Sequence, residues 1–102
     1  MSGASLHPGD GGELRVSGEL SFDTVPALWR EANAVFTDAR GDLCFDLEAV
    51  DRTDSAGLAL LIEWVRAAGE RGVGIRFRNI PAQLMEIARV SGVEDLLAVS
   101  PD

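Results

Sequence analysis

Hydrophobic and polar positions along this chain switch repeatedly between a period of two and a period near 3.6. From Glu13 to Leu20, the apolar Leu14, Val16 and Leu20 oppose Arg15 and Ser17, which is strand spacing. Ser21-Phe22-Asp23-Thr24 then supplies N-cap candidates, with Pro26 inside the first turn of a helix expected over about 24–37. Val25, Leu28, Ala32, Val35 and Phe36 form its buried stripe. Leu43, Phe45 and Leu47 alternate with Cys44 and Asp46 in a second strand. A second helix is expected over about 55–68, closed by Gly69 and Gly72. Val73, Ile75 and Phe77 alternate with Gly74, Arg76 and Arg78 in a third strand. A third helix starts at Pro81 and stops before Gly92, burying Leu84, Ile87 and Ala88. Residues 1–12 are expected to be flexible, or to hold a short edge strand over Ser5 to His7. The tail from Val93 to Val99 is expected to turn once, with Leu96 and Leu97 anchored.

Strand, helix, strand, helix, strand, helix implies right-handed crossovers and mostly parallel pairing. The strands alternate, whereas a sheet covered on both faces shows continuous apolar runs. The expectation is therefore an α/β fold with a mixed, mostly parallel four-stranded sheet and helices on one face. The 102 residues are read as one domain.

The second helix departs from the usual amphipathic pattern. Leu58, Leu61, Ile62 and Val65 make a core stripe, but Leu60 lies about 200° round the wheel from Leu58. Ala56, Ala59, Glu63 and Ala67 share that outer half, with Trp64 at its border. Either Leu60 and Trp64 pack on a neighbouring helix, or the outer half is a partner surface. The second is favoured because Thr53, Asp54 and Ser55 stand beside it, at a helix N-terminus whose N–H groups and dipole favour negative charge. Capping alone accounts for most hydroxyls at such a place. Phosphorylation of Ser55 would nonetheless put about −2 charge beside Asp51 and Asp54 and switch docking without altering the fold.

Charge and composition narrow the chemistry. Nine basic against seventeen acidic residues give −8, which argues against a nucleic-acid partner. Every basic residue is Arg, so Schiff-base chemistry and a P-loop lysine are excluded. Cys44 is alone, leaving no internal disulfide. The N-terminus lacks a basic start followed by an apolar stretch, and the run from Ala56 to Ile62 is far short of the roughly 20 residues that span a bilayer. A cytoplasmic protein without membrane insertion is expected. His7 is the only histidine and no Gly-x-Ser-x-Gly elbow exists, so no catalytic residue is assigned. Asp46, Asp51 and Asp54 read as loop residues, so neither metal nor cofactor is expected. Gly69, Gly72 and Gly74 precede a strand, whereas a phosphate cradle opens a helix. Arg76, Arg78 and Arg89 read as solvated or paired. Met85 and Val90 fall off the third helix's core stripe.

The stretch FDLEAVDRTDSAGLALL resembles the signature of STAS domains, in which a strand ends in Asp-Ser-x-Gly and the helix that follows forms a docking face. VSGELSFDTVPALW resembles the family's earlier strand, turn and first helix, and IRFRNIPAQLMEIARVSGVEDLL its last strand and third helix. The resemblance implies a STAS-like fold and a non-enzymatic role. Two branches compete. In anti-sigma factor antagonists, the serine matching Ser55 is phosphorylated by a kinase-like anti-sigma factor. In the other branch, a compact cytosolic subunit binds the ATPase of the Mla phospholipid-transport ABC system, peripheral to the inner membrane, and supports its assembly and activity. SGEL, PALW and GLALLIEW are closer to the second branch, where the residue matching Ser55 can be Thr. The partner-binding residues implied are Trp29, Thr53, Asp54, Ser55, Ala56, Leu58, Ala59, Leu60 and Glu63.

Overall fold

A computed structural model describes residues 3–9, 13–38 and 41–97. Strand β1 (Ala4–Pro8) leads into β2 (Glu13–Leu20), helix α1 (Val25–Asp38) and β3 (Leu43–Thr53). Helix α2 (Ser55–Glu70), β4 (Ile75–Arg78), α3 (Ala82–Val90) and a 3-10 turn at Glu94–Leu96 complete the order. The sheet runs β1-β2-β3-β4, with β1 antiparallel to β2 and the other two pairings parallel. This is the mixed, mostly parallel four-stranded sheet expected from the alternating pattern.

One face of the sheet carries the apolar set. Val16 and Leu20 of β2, Phe45 and Leu47 of β3, and Ile75 and Phe77 of β4 are buried with Leu28, Ala32 and Phe36 of α1 and Leu84 and Ala88 of α3. Val25 and Val35 of α1 and Ile87 of α3 are only half-buried, at the margins of those stripes. Trp64 lies at the centre, stacked on Phe45 at a ring-centroid separation of 4.5 Å, and Phe45 also meets Phe36 and Phe77. Offset ring pairs of this kind add about 0.5–1.5 kcal/mol beyond their buried area.

The other face is polar. Glu13, Cys44 and Arg76 align across three strands, as do Arg15, Asp46 and Arg78. Arg78 pairs with Glu13 across the sheet. Asp46 accepts hydrogen bonds from Asn79 Nδ2 at 2.9 Å and from the Glu48 N–H at 3.0 Å. Asn79 itself adopts φ +56°, a left-handed conformation that Asn tolerates better than most residues. Arg89 is paired with Glu86 on α3.

Several boundaries differ from the sequence reading. β3 continues through Glu48-Ala49-Val50-Asp51-Arg52 to Thr53, because pairing with β2 from Ala49 to Thr53 carries polar residues as strand. α2 runs past Gly69 to Glu70, and Gly72 at φ +69° makes the stop. α3 begins at Ala82, with Pro81 as its N-cap. Leu97 is anchored in the core, but Leu96 is 53% exposed, since the short 3-10 turn directs only one of the two inward. Val99 lies outside the described residues.

Candidate functional site

The two crossover loops at one end of the sheet are tied together. The Asp54 N–H donates to the Leu20 carbonyl at 3.0 Å, joining the end of β3 to the end of β2. Thr24 Oγ1 donates to the Glu19 carbonyl and accepts from the Ser21 N–H at 2.9 Å, which fixes the β2–α1 loop. Gly57 permits α2 to seat this closely: a Cβ there would meet Thr53 Oγ1, and would approach Leu20 Cβ to 3.0 Å.

Among the hydroxyl and carboxylate candidates at the mouth of α2, Asp54 is the cap. Its backbone is extended, and Oδ1 accepts from the Ala56 N–H at 2.8 Å. Ser55 is therefore the first helical residue, and its side chain is exposed. A hydroxyl released from capping is open to a partner or to modification. Thr53 is buried, with Oγ1 donating to the Asp54 carbonyl at 3.2 Å.

The outward face assigned to α2 needs correction. Leu60 is 2% exposed and Trp64 is fully buried, as are Ala56 and Leu58 to within a few per cent. α2 packs against α1 on one flank and α3 on the other while also covering the sheet, so apolar residues are needed on three of its sides. Leu60 points towards α1, where it lies with Val25, Trp29, Ala59, Glu63 and Arg66 around a groove of about 370 Å³. It belongs to the groove's floor and not to an exposed flank.

Of the nine sequence-chosen residues, the structure brings Trp29, Ala59, Leu60 and Glu63 together at this groove. Ser55, Ala59 and Glu63 are spaced i, i+4, i+8 and so share one strip of α2. Thr53, Ala56 and Leu58 lie beneath the surface as supports. Glu63 and Glu70 both pair with Arg66, at 2.8 and 2.7 Å. Beside the groove, Glu19, Ser21, Arg52, Thr53 and Asp54 line a polar cleft of about 240 Å³.

In the sequence Phe22 belongs to the Ser21-Phe22-Asp23-Thr24 cap segment. It is 74% exposed at the head of α1. The signal available in the sequence is its place three residues before Val25 and seven before Trp29, in the turn that leads into α1.

His7 pairs with Arg15, which pairs with Asp46, seven strand residues short of Thr53. At about 3.3 Å per residue, that separates the imidazole's strand position from Ser55 by about 20 Å. Among the described residues no group of three His, Cys, Asp or Glu side chains is arranged so that it could hold a metal ion. Burial and the neighbouring Glu13 carboxylate push the Cys44 thiol pKa up, against the opposing influence of Arg78 and Arg76.

The fold and this loop pair define a STAS domain, and the family model described as "Mlab, STAS domain" matches residues 6–98, so the chain belongs to that family. It is 30% identical over 80 residues to the Escherichia coli intermembrane phospholipid transport system binding protein MlaB, covering 78% of this chain and 79% of that protein. It is also 27% identical over 88 residues to the Staphylococcus aureus anti-sigma-B factor antagonist, covering 86% and 82%. Among solved structures, a chain of the Acinetobacter MlaFEDB complex in an ATP-bound conformation superposes with TM-score 0.76 at 23% identity, covering 88% of this chain and 95% of that one, a likeness of fold. An anti-sigma factor antagonist from Mycobacterium paratuberculosis gives TM-score 0.70 at 28% identity, covering 97% and 85%. The chain is thus related both to a transport-system subunit and to sigma-pathway regulators, and none of these relatives is named for a reaction it catalyses. No helix among the described residues is long and apolar enough to cross a membrane.

Proposed function

We propose that this chain is the STAS accessory subunit of a phospholipid-trafficking ABC transporter of the Mla type, docking on its ATPase subunit and supporting assembly and activity. It performs no chemistry of its own. The observation that carries this reading is the groove between α1 and α2: Trp29 and Val25 on one side, Ala59 on the other, Leu60 beneath, in a chain aligned with MlaB over most of its length. An apolar recess of this size accepts one or two side chains from a partner, and the exposed Ser55 lies on the same strip of α2. Docking of this kind puts the subunit at the cytoplasmic side of the inner membrane through its complex.

A second reading is favoured by one specific observation. Because Asp54 takes the capping role, the Ser55 hydroxyl is exposed and accessible to a kinase, as an anti-sigma factor antagonist requires. A phosphate there would sit at the positive end of α2, where it is tolerated by the helix, yet beside Asp54 on the docking face.

The test is a binding measurement against two purified partners encoded in the same genome: the Mla-type ATPase and a kinase-like anti-sigma factor. Micromolar or tighter binding to the ATPase is expected, weakened by Trp29→Ala at a temperature where circular dichroism shows the variant still folded, since Trp29 also packs against the core. Binding to the kinase alone, with Ser55 gaining phosphate by intact mass, would replace the first reading by the second.

A further inference from the structure

We infer that Phe22 is a second apolar anchor of the docking face, entering a recess on the ATPase that is edged by Arg or Lys side chains. The inference rests on the docking reading above and names what the partner must present.

Three observations carry it. Phe22 is 74% exposed, and it is one of three large apolar side chains so exposed among the described residues; the other two, Val90 and Leu96, lie at the end of α3 and in the 3-10 turn that follows. Single exposed apolar residues are common and need no partner. Phe22 differs by its place, because the Val25 N–H bonds back to the Ser21 carbonyl at 2.9 Å and winds the loop as a helical turn. Phe22, Val25 and Trp29 then follow one another at i, i+3 and i+7, so Phe22 stands outside the groove's lining, one turn before the two α1 residues that form its wall.

The second observation is that the backbone carrying Phe22 is pre-ordered. The Ser21 N–H to Thr24 Oγ1 bond, the Thr24 Oγ1 to Glu19 carbonyl bond and the Thr24 N–H to Ser21 carbonyl bond at 3.1 Å fix the residues on either side of Phe22. With the turn already ordered, binding need immobilise only the ring's two side-chain torsions and not the backbone, which suits an interface anchor.

The third is charge. Asp23 follows Phe22 directly and is exposed, while Glu19 and Asp54 line the adjoining cleft with Arg52 as its one base. Three carboxylates against one guanidinium leave −2 around the aromatic anchor. An acidic partner surface would be repelled, and a neutral one would leave those carboxylates desolvated without compensation. The complementary surface is a recess with basic edges.

Binding of the purified ATPase subunit to wild type, Phe22→Ser, Asp23→Arg and Trp29→Ala, at low and at high sodium chloride, tests this. Phe22→Ser is expected to weaken binding at least tenfold, with melting unchanged since Phe22 leaves the core untouched. Asp23→Arg should weaken it at low salt and flatten its dependence on salt. If Trp29→Ala weakens binding while Phe22→Ser matches wild type, the anchor is refuted and the docking reading stands. Loss through Phe22→Ser with binding insensitive to salt and to Asp23→Arg refutes the basic edge. If wild type does not bind the ATPase at micromolar concentration, the docking reading falls and this inference falls with it.

Discussion

Truncating Leu60 discriminates most sharply between a core residue and a docking residue. The side chain is 2% exposed, seated between α2 and α1, and Leu→Ala at such a site costs about 2–5 kcal/mol. Leu60 also floors an open groove, so the space left behind is wetted in part and does not persist as a dry cavity. That relief puts Leu60→Ala in the lower half of the range, about 2–3 kcal/mol. For a domain near this size each kcal/mol moves the melting temperature by about 4–8 °C, so a drop on the order of 10–20 °C is expected by circular dichroism or scanning calorimetry. Leu60→Asp would bury a carboxylate without a partner and should leave too little stability to fold. Ala59, the residue before it, is exposed, so Ala59→Asp should melt within about 2 °C of wild type, as surface changes generally do. Ala59→Asp should also lose ATPase binding, measured in the same preparation. The reasoning is refuted if Leu60→Ala keeps its melting temperature and loses only binding, for then Leu60 is a contact and not a support.

Asp54→Ala removes the α2 cap and should cost about 1 kcal/mol in a denaturant titration, whereas Asp54→Asn keeps the acceptor and should be nearly silent. Gly57→Ala stabilises most helix interiors by about 0.5–1 kcal/mol, but here the new methyl meets Thr53 Oγ1 and Leu20, so chemical denaturation should show a loss. Burial opposes ionisation of Asp46, but the Asn79 amide, the Glu48 N–H and the Arg78 guanidinium outweigh it and hold the carboxyl below its ordinary range. A depressed folded pKa stabilises above the unfolded value, near 4, and that contribution is lost as pH falls through the folded value. Melting temperatures of Asp46→Asn should therefore fall less steeply than wild type as pH is taken from about 5 to about 2.

Much of the site was legible because it is local. The Asp-Ser-Ala-Gly run marks a helix start by composition alone, whereas Trp29 entered only through the family resemblance. What was not legible was which hydroxyl or carboxylate caps the helix. Thr53, Asp54 and Ser55 all qualify by type, and only the extended backbone at Asp54 and its bond to the Leu20 carbonyl decide the matter. The length of β3 was hidden for a similar reason, since the stretch 48–53, with charged residues at Glu48, Asp51 and Arg52, becomes strand through pairing with β2.

The order of elements, the parallel bias of the sheet and the single covered face followed from the sequence, because side-chain period and turn residues act over a few positions. The sides of α2 that meet water did not. A helical wheel has one preferred axis, but α2 is enclosed by a sheet and two helices at once, so Leu60 and Trp64 are inside although half the wheel suggested otherwise. The converse holds for Phe22, an aromatic residue left outside because the turn that carries it is anchored through Thr24. Burial depends on where neighbours far along the chain come to rest, and that is decided only when the chain has folded.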